Sequence, residues 1–177
     1  MVNDFDNLYP WSHRKLCNVD LAAYKRIYEA GGDIENAIVA WEGDPDFAYD
    51  GTNGAVMVYT PGFWMHGEET NDGVVIAVAD GEMEGWIQVP RYIGGRYFAS
   101  DDGDGSVTSV AGVIPMVNTA MSTIHTKAKA KKMTLDDIWT WTADSALLVV
   151  EFATMNTQAA IGNGVDSLYR ENEEHPL

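Results

Sequence analysis

The sequence predicts an α+β fold, built as twisted antiparallel strands packed with two main helices. Two observations carry this expectation. Short runs of branched and aromatic residues, separated by glycine-rich breaks, fill the stretch from 55 to 98, which is the pattern of strands joined by tight turns. After residue 118 the apolar spacing changes to that of helices, twice in succession. Strands first and helices afterwards argue for segregated elements rather than for a parallel sheet with crossover helices.

Taken in order, the elements begin with a short amphipathic helix over 21–30, stopped at Gly31 and Gly32, where a left-handed C-cap costs little. Turn-forming residues follow at 43–46 and 50–54. Strands are expected at 55–59, 63–65, 74–78, 86–89 and 96–98. A helix is expected over 118–133, with Met121, Ile124 and Ala128 on one face. Lys127, Lys129, Lys131 and Lys132 should form its solvated opposite face. The next helix should start at 134–137, with Thr134 as the cap and Asp137 near the positive end of the dipole. Its apolar content runs through Trp139, Ala143, Ala146, Leu147, Val150 and Phe152, so it should be buried on most of its circumference as the core element. The expected organisation is a single domain over 1–165 followed by an exposed polar tail over 166–177.

A chain of 177 residues fits one domain, and 46% hydrophobic against 21% charged residues is a globular composition. Acidic side chains outnumber basic ones 27 to 11, a formal net charge of -16, which opposes binding to polyanionic nucleic acid. Cys17 is the only cysteine, so neither an internal disulfide nor a thiolate pair for zinc is available. The N-terminal residues lack the basic and apolar regions of a signal peptide, and no apolar run approaches the roughly 20 residues that span a bilayer. Synthesis in a cytoplasm without membrane insertion is the expectation.

Local signatures of chemistry are missing from the sequence. It contains no G-x-S-x-G, Walker loop or G-x-G-x-x-G, and His13, His66, His125 and His175 are too scattered to form a metal motif. The chain is therefore expected to be no enzyme and to need no cofactor. Asp101, Asp102 and Asp104 alternate with glycines as weak candidates for a calcium loop. Counting from Asp102, however, Val107 and Val113 stand where an EF-hand needs glycine and glutamate, so an acidic hairpin turn is the better reading. Glu151 lies inside an apolar run and should be a buried hydrogen-bond hub. Among the aromatic residues, Trp86, Tyr92 and Tyr97 are the candidate ligand-stacking positions, because Pro90, Gly94 and Gly95 interrupt the strands around them.

The order of segments resembles a family of bacteriophage tail-fibre and minor structural proteins. The resemblance rests on LYPWS at 8–12, CN at 17–18, GDPDF at 43–47, DGTNG at 50–54 and VMVYTPGFW at 56–64. It continues through YIGG at 92–95, SVAGVIP at 109–115, LLVVEFATMNTQ at 147–158 and IGNG at 161–164. It implies a C-type-lectin-like fold like that of phage tropism determinants, with Glu151, Asn156 and Gln158 tying the second helix to the following loop. The implied function is a non-enzymatic virion structural or host-attachment module, displayed on tail, baseplate or capsid. Members of the family continue with further strands past their Gly-x-Gly. A homotrimer, or completion by other virion proteins, is therefore expected to cover the open edges. The competing expectation is a carbohydrate-binding lectin-like domain, calcium-assisted through Asp101, Asp102 and Asp104, that recognises a host-surface glycan or protein.

Overall fold

The structure, a computed structural model, describes residues 5–156 and 159–160. It is a mixed α+β arrangement with antiparallel sheets and three α-helices among the described residues. The strands are β1 (Lys15–Val19), β2 (Ile38–Trp41), β3 (Ala55–Thr60), β4 (Phe63–Thr70), β5 (Gly73–Ala79), β6 (Ile87–Val89), β7 (Tyr92–Gly95), β8 (Ser100–Asp101) and β9 (Val107–Thr108). The helices are α1 (Leu21–Glu29), α2 (Met121–Ala130) and α3 (Ile138–Phe152).

One sheet has the order β2-β1-β3-β7, a second β5-β4-β6, and β8 and β9 form a small hairpin. The first sheet and α1 enclose a core of Cys17, Val19, Leu21, Ala37, Ala55, Met57 and Ile93. The second sheet and α3 enclose another, made of Phe63, Met65, Val89, Ala143, Ala146 and Leu147. Helix α1 ends as its glycines dictate. Gly31 takes a positive φ of 67°, its N–H reaches the Tyr28 carbonyl, and the Gly32 N–H reaches that of Ile27. These are the two bonds of a Schellman cap.

Strands β1 and β2 have no counterpart in the sequence reading, since Lys15, Asn18 and the shortness of each run hide the alternation of apolar residues. Asn18 is fully buried at the centre of the first sheet. Its amide donates to the Ala48 carbonyl at 2.7 Å and its oxygen accepts from the Ala48 N–H at 2.8 Å. The loop over 42–54 is thereby pinned to β1. Gly54 closes that loop at φ 114°, where an added Cβ would lie 2.6 Å from the Val19 carbonyl oxygen, a clash no side chain could avoid. Ser109 donates from Oγ to the carbonyl of Val56, on β3, at 2.8 Å.

Four expectations are corrected. The strand expected at 96–98 lies earlier, at Tyr92–Gly95, paired with β3; beyond it the chain bends and Phe98 is 87% exposed. Helix α3 is capped by Asp137, which accepts from the Thr140 N–H at 2.9 Å, and not by Thr134. An aspartate three residues ahead of Thr140 meets the same N-terminal donors that the threonine was expected to satisfy. The lysine run is a solvated face only in part: Lys129 and Lys132 are exposed, but the Lys127 and Lys131 side chains are only 21% and 17% exposed. They flank Ala128, the buried residue of α2, at helical spacing, so their stems cover apolar surface while their ends reach outward. Finally, α3 buries only Ala143, Ala146 and Leu147. Leu148, Val149 and Val150 are half-buried, and Ile138, Trp139, Trp141 and Phe152 are exposed.

Candidate functional site

Helix α3 is held in place by a polar joint. Asp144 Oδ1 accepts from Arg14 Nη2 at 2.6 Å and from the Tyr92 hydroxyl at 2.8 Å, so one carboxylate links the start of β1, the start of β7 and the helix. Burial, and then the Asp144 charge, push the Tyr92 hydroxyl well above its ordinary range. Tyr92 therefore keeps its proton and acts as a hydrogen-bond donor facing the second core.

The acidic residues at 101–104 form the turn of the β8–β9 hairpin. Lys127 Nζ lies 2.6 Å from Asp101, and Lys131 Nζ lies 2.9 Å from Asp104 and 3.7 Å from Asp102. The Ser106 hydroxyl and Lys131 hold the Asp104 carboxyl down at about 2. These carboxylates dock α2, and among the described residues no group of three or more His, Cys, Asp or Glu is arranged to hold a metal ion. Beside the hairpin lies a shallow cleft of about 720 Å³, lined by Val19, Asp20, Val39, Asn53, Asp102 and Lys131 among others. Two of its acids already have partners: Asp20 caps α1 through the Ala22 and Ala23 N–H groups, and Asp102 faces Lys131.

The three aromatic candidates are not gathered on one platform. Trp86 is half-buried and stacked on His66, with ring centroids 5.5 Å apart. His66 follows Met65 on β4, and Met65 points into the α3 core, so Trp86 occupies the opposite face of that sheet. Tyr92 points inward, with its hydroxyl on Asp144. Tyr97 is half-buried just past β7, where its N–H bonds Ser109 Oγ at 2.9 Å. Glu151 is half-buried, not enclosed, on the last turn of α3. Asn156 is exposed, and its side chain accepts locally from the Ala159 N–H at 3.2 Å. Gln158, the Gly-x-Gly at 162–164 and the tail at 166–177 lie outside the described residues.

What the sequence reading missed is how much apolar surface α3 leaves exposed. Ile138, Trp139 and Trp141 are 67%, 66% and 64% exposed. With about 100° between successive residues, Ile138, Trp141, Ser145, Leu148 and Phe152 fall on one stripe opposite Ala143, Ala146 and Leu147. That stripe carries no ionisable side chain. Large apolar side chains are also exposed ahead of α2, at Phe98, Val113, Ile114 and Val117, and at its first residue, Met121. A helix that is apolar all round is usually buried all round, and apolar surface of this kind marks a contact site. The signal was present in the continuous apolar content of 138–152, but sequence alone does not say which side the core takes. No protein-family model, no curated protein and no solved structure matches the chain.

Proposed function

We propose that this chain is a non-enzymatic structural or host-attachment module of a bacteriophage particle, working by protein contact on a C-type-lectin-like scaffold. One observation carries the contact reading. The largest exposed side chains, Trp139 and Trp141 on α3 with Phe98 and Ile114 elsewhere, are apolar, and tryptophan is the residue type most enriched at interaction hot spots. The particle reading is supported by the family resemblance of the runs between 8 and 164. The buried Asn18 and Ser109, and Gly54 at its tight turn, lie within those runs.

In this reading the module sits on tail, baseplate or capsid as a closed homo-oligomer, or is completed by neighbouring virion proteins, and the acidic surface outside the contacts keeps it soluble. The test is to sediment particles through a density gradient from a culture that carries the gene, and to look for the chain by mass spectrometry. It is expected in the particle band at a fixed copy ratio to the major capsid protein. Its restriction to the soluble lysate, with none in the particle band, would overturn the reading. Binding of the purified chain to a glycan array that is abolished by Trp86→Ala would point instead to a sugar-binding domain.

A further inference from the structure

Strand β5 is an open edge of the second sheet, paired with β4 alone. It joins β4 through the tight turn at Asn71 and Asp72, which makes Thr70 and Gly73 a hydrogen-bonded pair. Such pairs alternate with unbonded ones along an antiparallel ladder. Gly73, Val75, Ala77 and Ala79 therefore bond to β4, and Val74, Ile76 and Val78 turn their N–H and C=O groups outward. Among the described residues these outward groups have no partner. Natural proteins blunt such edges with short strands, charges, prolines or bulges. Strand β5 has none of these: its 7 residues, GVVIAVA, carry no charge and no proline, and their register with β4 runs without a shift.

The ends of this edge are acidic. Glu68, Glu69 and Asp72 stand at its start, and Asp80, Glu82 and Glu84 follow its end, all of them exposed. No lysine or arginine occurs in the sequence between Arg26 and Arg91. Among the described residues none of these six acids pairs with a lysine or arginine, and Glu68 lies 3.7 Å from His66. A row of free backbone donors and acceptors selects another strand as its occupant, and the charges select which strand. Two copies of this edge would set acid against acid. A segment that is apolar at its centre and basic at its ends is complementary to it.

We propose that the outer edge of β5 binds an extended segment of another protein, apolar at its centre and carrying lysine or arginine at both ends, which adds a strand to the sheet beside β5. The outward N–H and C=O groups of Val74, Ile76 and Val78 hold its backbone, and the acids at the two ends set the preference for basic flanks. Ile76 and Val78 already pack on the core beneath α3, while Val74, 58% exposed on the same face, is left for the side chains of the added strand. The inference rests on the reading of the chain as a module working by protein contact, and it names the chemistry of one partner.

The probe is a synthetic peptide, Lys-Lys-Val-Thr-Val-Thr-Val-Lys-Lys, titrated into the full chain at low ionic strength, where the acids act unscreened. Binding is followed by the fluorescence anisotropy of a labelled peptide and by amide hydrogen exchange of the chain. In the free chain the Val74, Ile76 and Val78 amides are expected to exchange rapidly, and the peptide should slow all three. N-methylation throughout the central run removes the peptide's donors and keeps its charge, and should weaken binding about tenfold or more. Glutamate in place of the lysines should abolish it. Val74→Pro removes an outward donor and no bond to β4, and should also weaken it; the N-methylated peptide keeps the test decisive if this variant folds poorly. No binding of the unmodified peptide overturns the proposal, and equal binding of the N-methylated one reduces it to charge attraction and overturns it too. Slow exchange of the three amides in the dilute free chain means that the chain itself covers the edge. Slowing that sets in only as the chain is concentrated means that a second copy does, and either result overturns the proposal. Each of these outcomes leaves the particle-band test standing, so the two readings fail separately.

Discussion

Asn18 shows how one buried side chain can organise a long loop. Its amide exchanges two hydrogen bonds with the Ala48 backbone at 2.7 and 2.8 Å, in a site with no access to water. Asn18→Ala leaves both the N–H and the carbonyl of Ala48 without these partners, and an unsatisfied buried group costs about 1–3 kcal/mol. Urea denaturation should show a loss of that size with an unchanged m-value; a variant as stable as the parent would remove Asn18 from this role. Cys17, its neighbour in β1, has no exposed surface, and burial pushes its thiol up to about 12. Only the thiolate reacts with disulfide reagents. The native chain at pH 8 is therefore expected to leave Ellman's reagent unreacted until denaturant is added, and rapid labelling of the native protein would contradict this placement.

At the scale of elements, the docking of α2 on the β8–β9 hairpin rests on charge. Asp104 is held low by the Ser106 hydroxyl and Lys131, and Asp101 by Lys127 and the Gly103 N–H. A carboxyl whose folded pKa is depressed stabilises the fold above its unfolded value. That contribution is lost as pH falls through the folded value, here from just under 4 down to about 2. The melting temperature of the parent should accordingly fall more steeply between pH 4 and 2 than that of Asp104→Asn, which lacks the charge at every pH; parallel curves would show that the lysine contacts do not hold α2. Element types were legible wherever a run had one clear period. The strands at 55–60 and 73–79 and helix α1 follow from their residues. Strand β1 was not legible, because its central polar residue is buried by a loop bond that no local pattern announces. The lysine side of α2 was misread for a related reason. A lysine reads as solvent-facing until its stem is seen lying beside Ala128 and its ammonium beside an acid 26 or 27 residues away in the chain. The outer stripe of α3 was visible as apolar content, but its exposure depends on which face the second sheet takes.

For the whole molecule, two opposing surfaces decide how it behaves in solution. The chain carries a net charge of -16, and this repulsion acts between any two copies over a distance set by the ionic strength, about 30 Å in 10 mM salt and about 8 Å at 150 mM. Against it stands uncharged apolar surface on α3 and before α2, whose attraction acts only at contact and is strengthened slightly by excluded salts such as sulfate. Association through this surface must therefore tighten as salt is raised, steeply at first while the repulsion is being screened, and then level off once the screening length is shorter than the spacing of the facing acids. Ion pairs across the contact would give the opposite slope, because added salt screens attraction as readily as repulsion. The dissociation constant, followed by sedimentation equilibrium from 10 to 300 mM sodium chloride, is expected to fall across the first part of the range and flatten beyond about 150 mM. An affinity that weakens steadily with salt would mean that Lys and Arg side chains, and not the apolar face of α3, carry the contact.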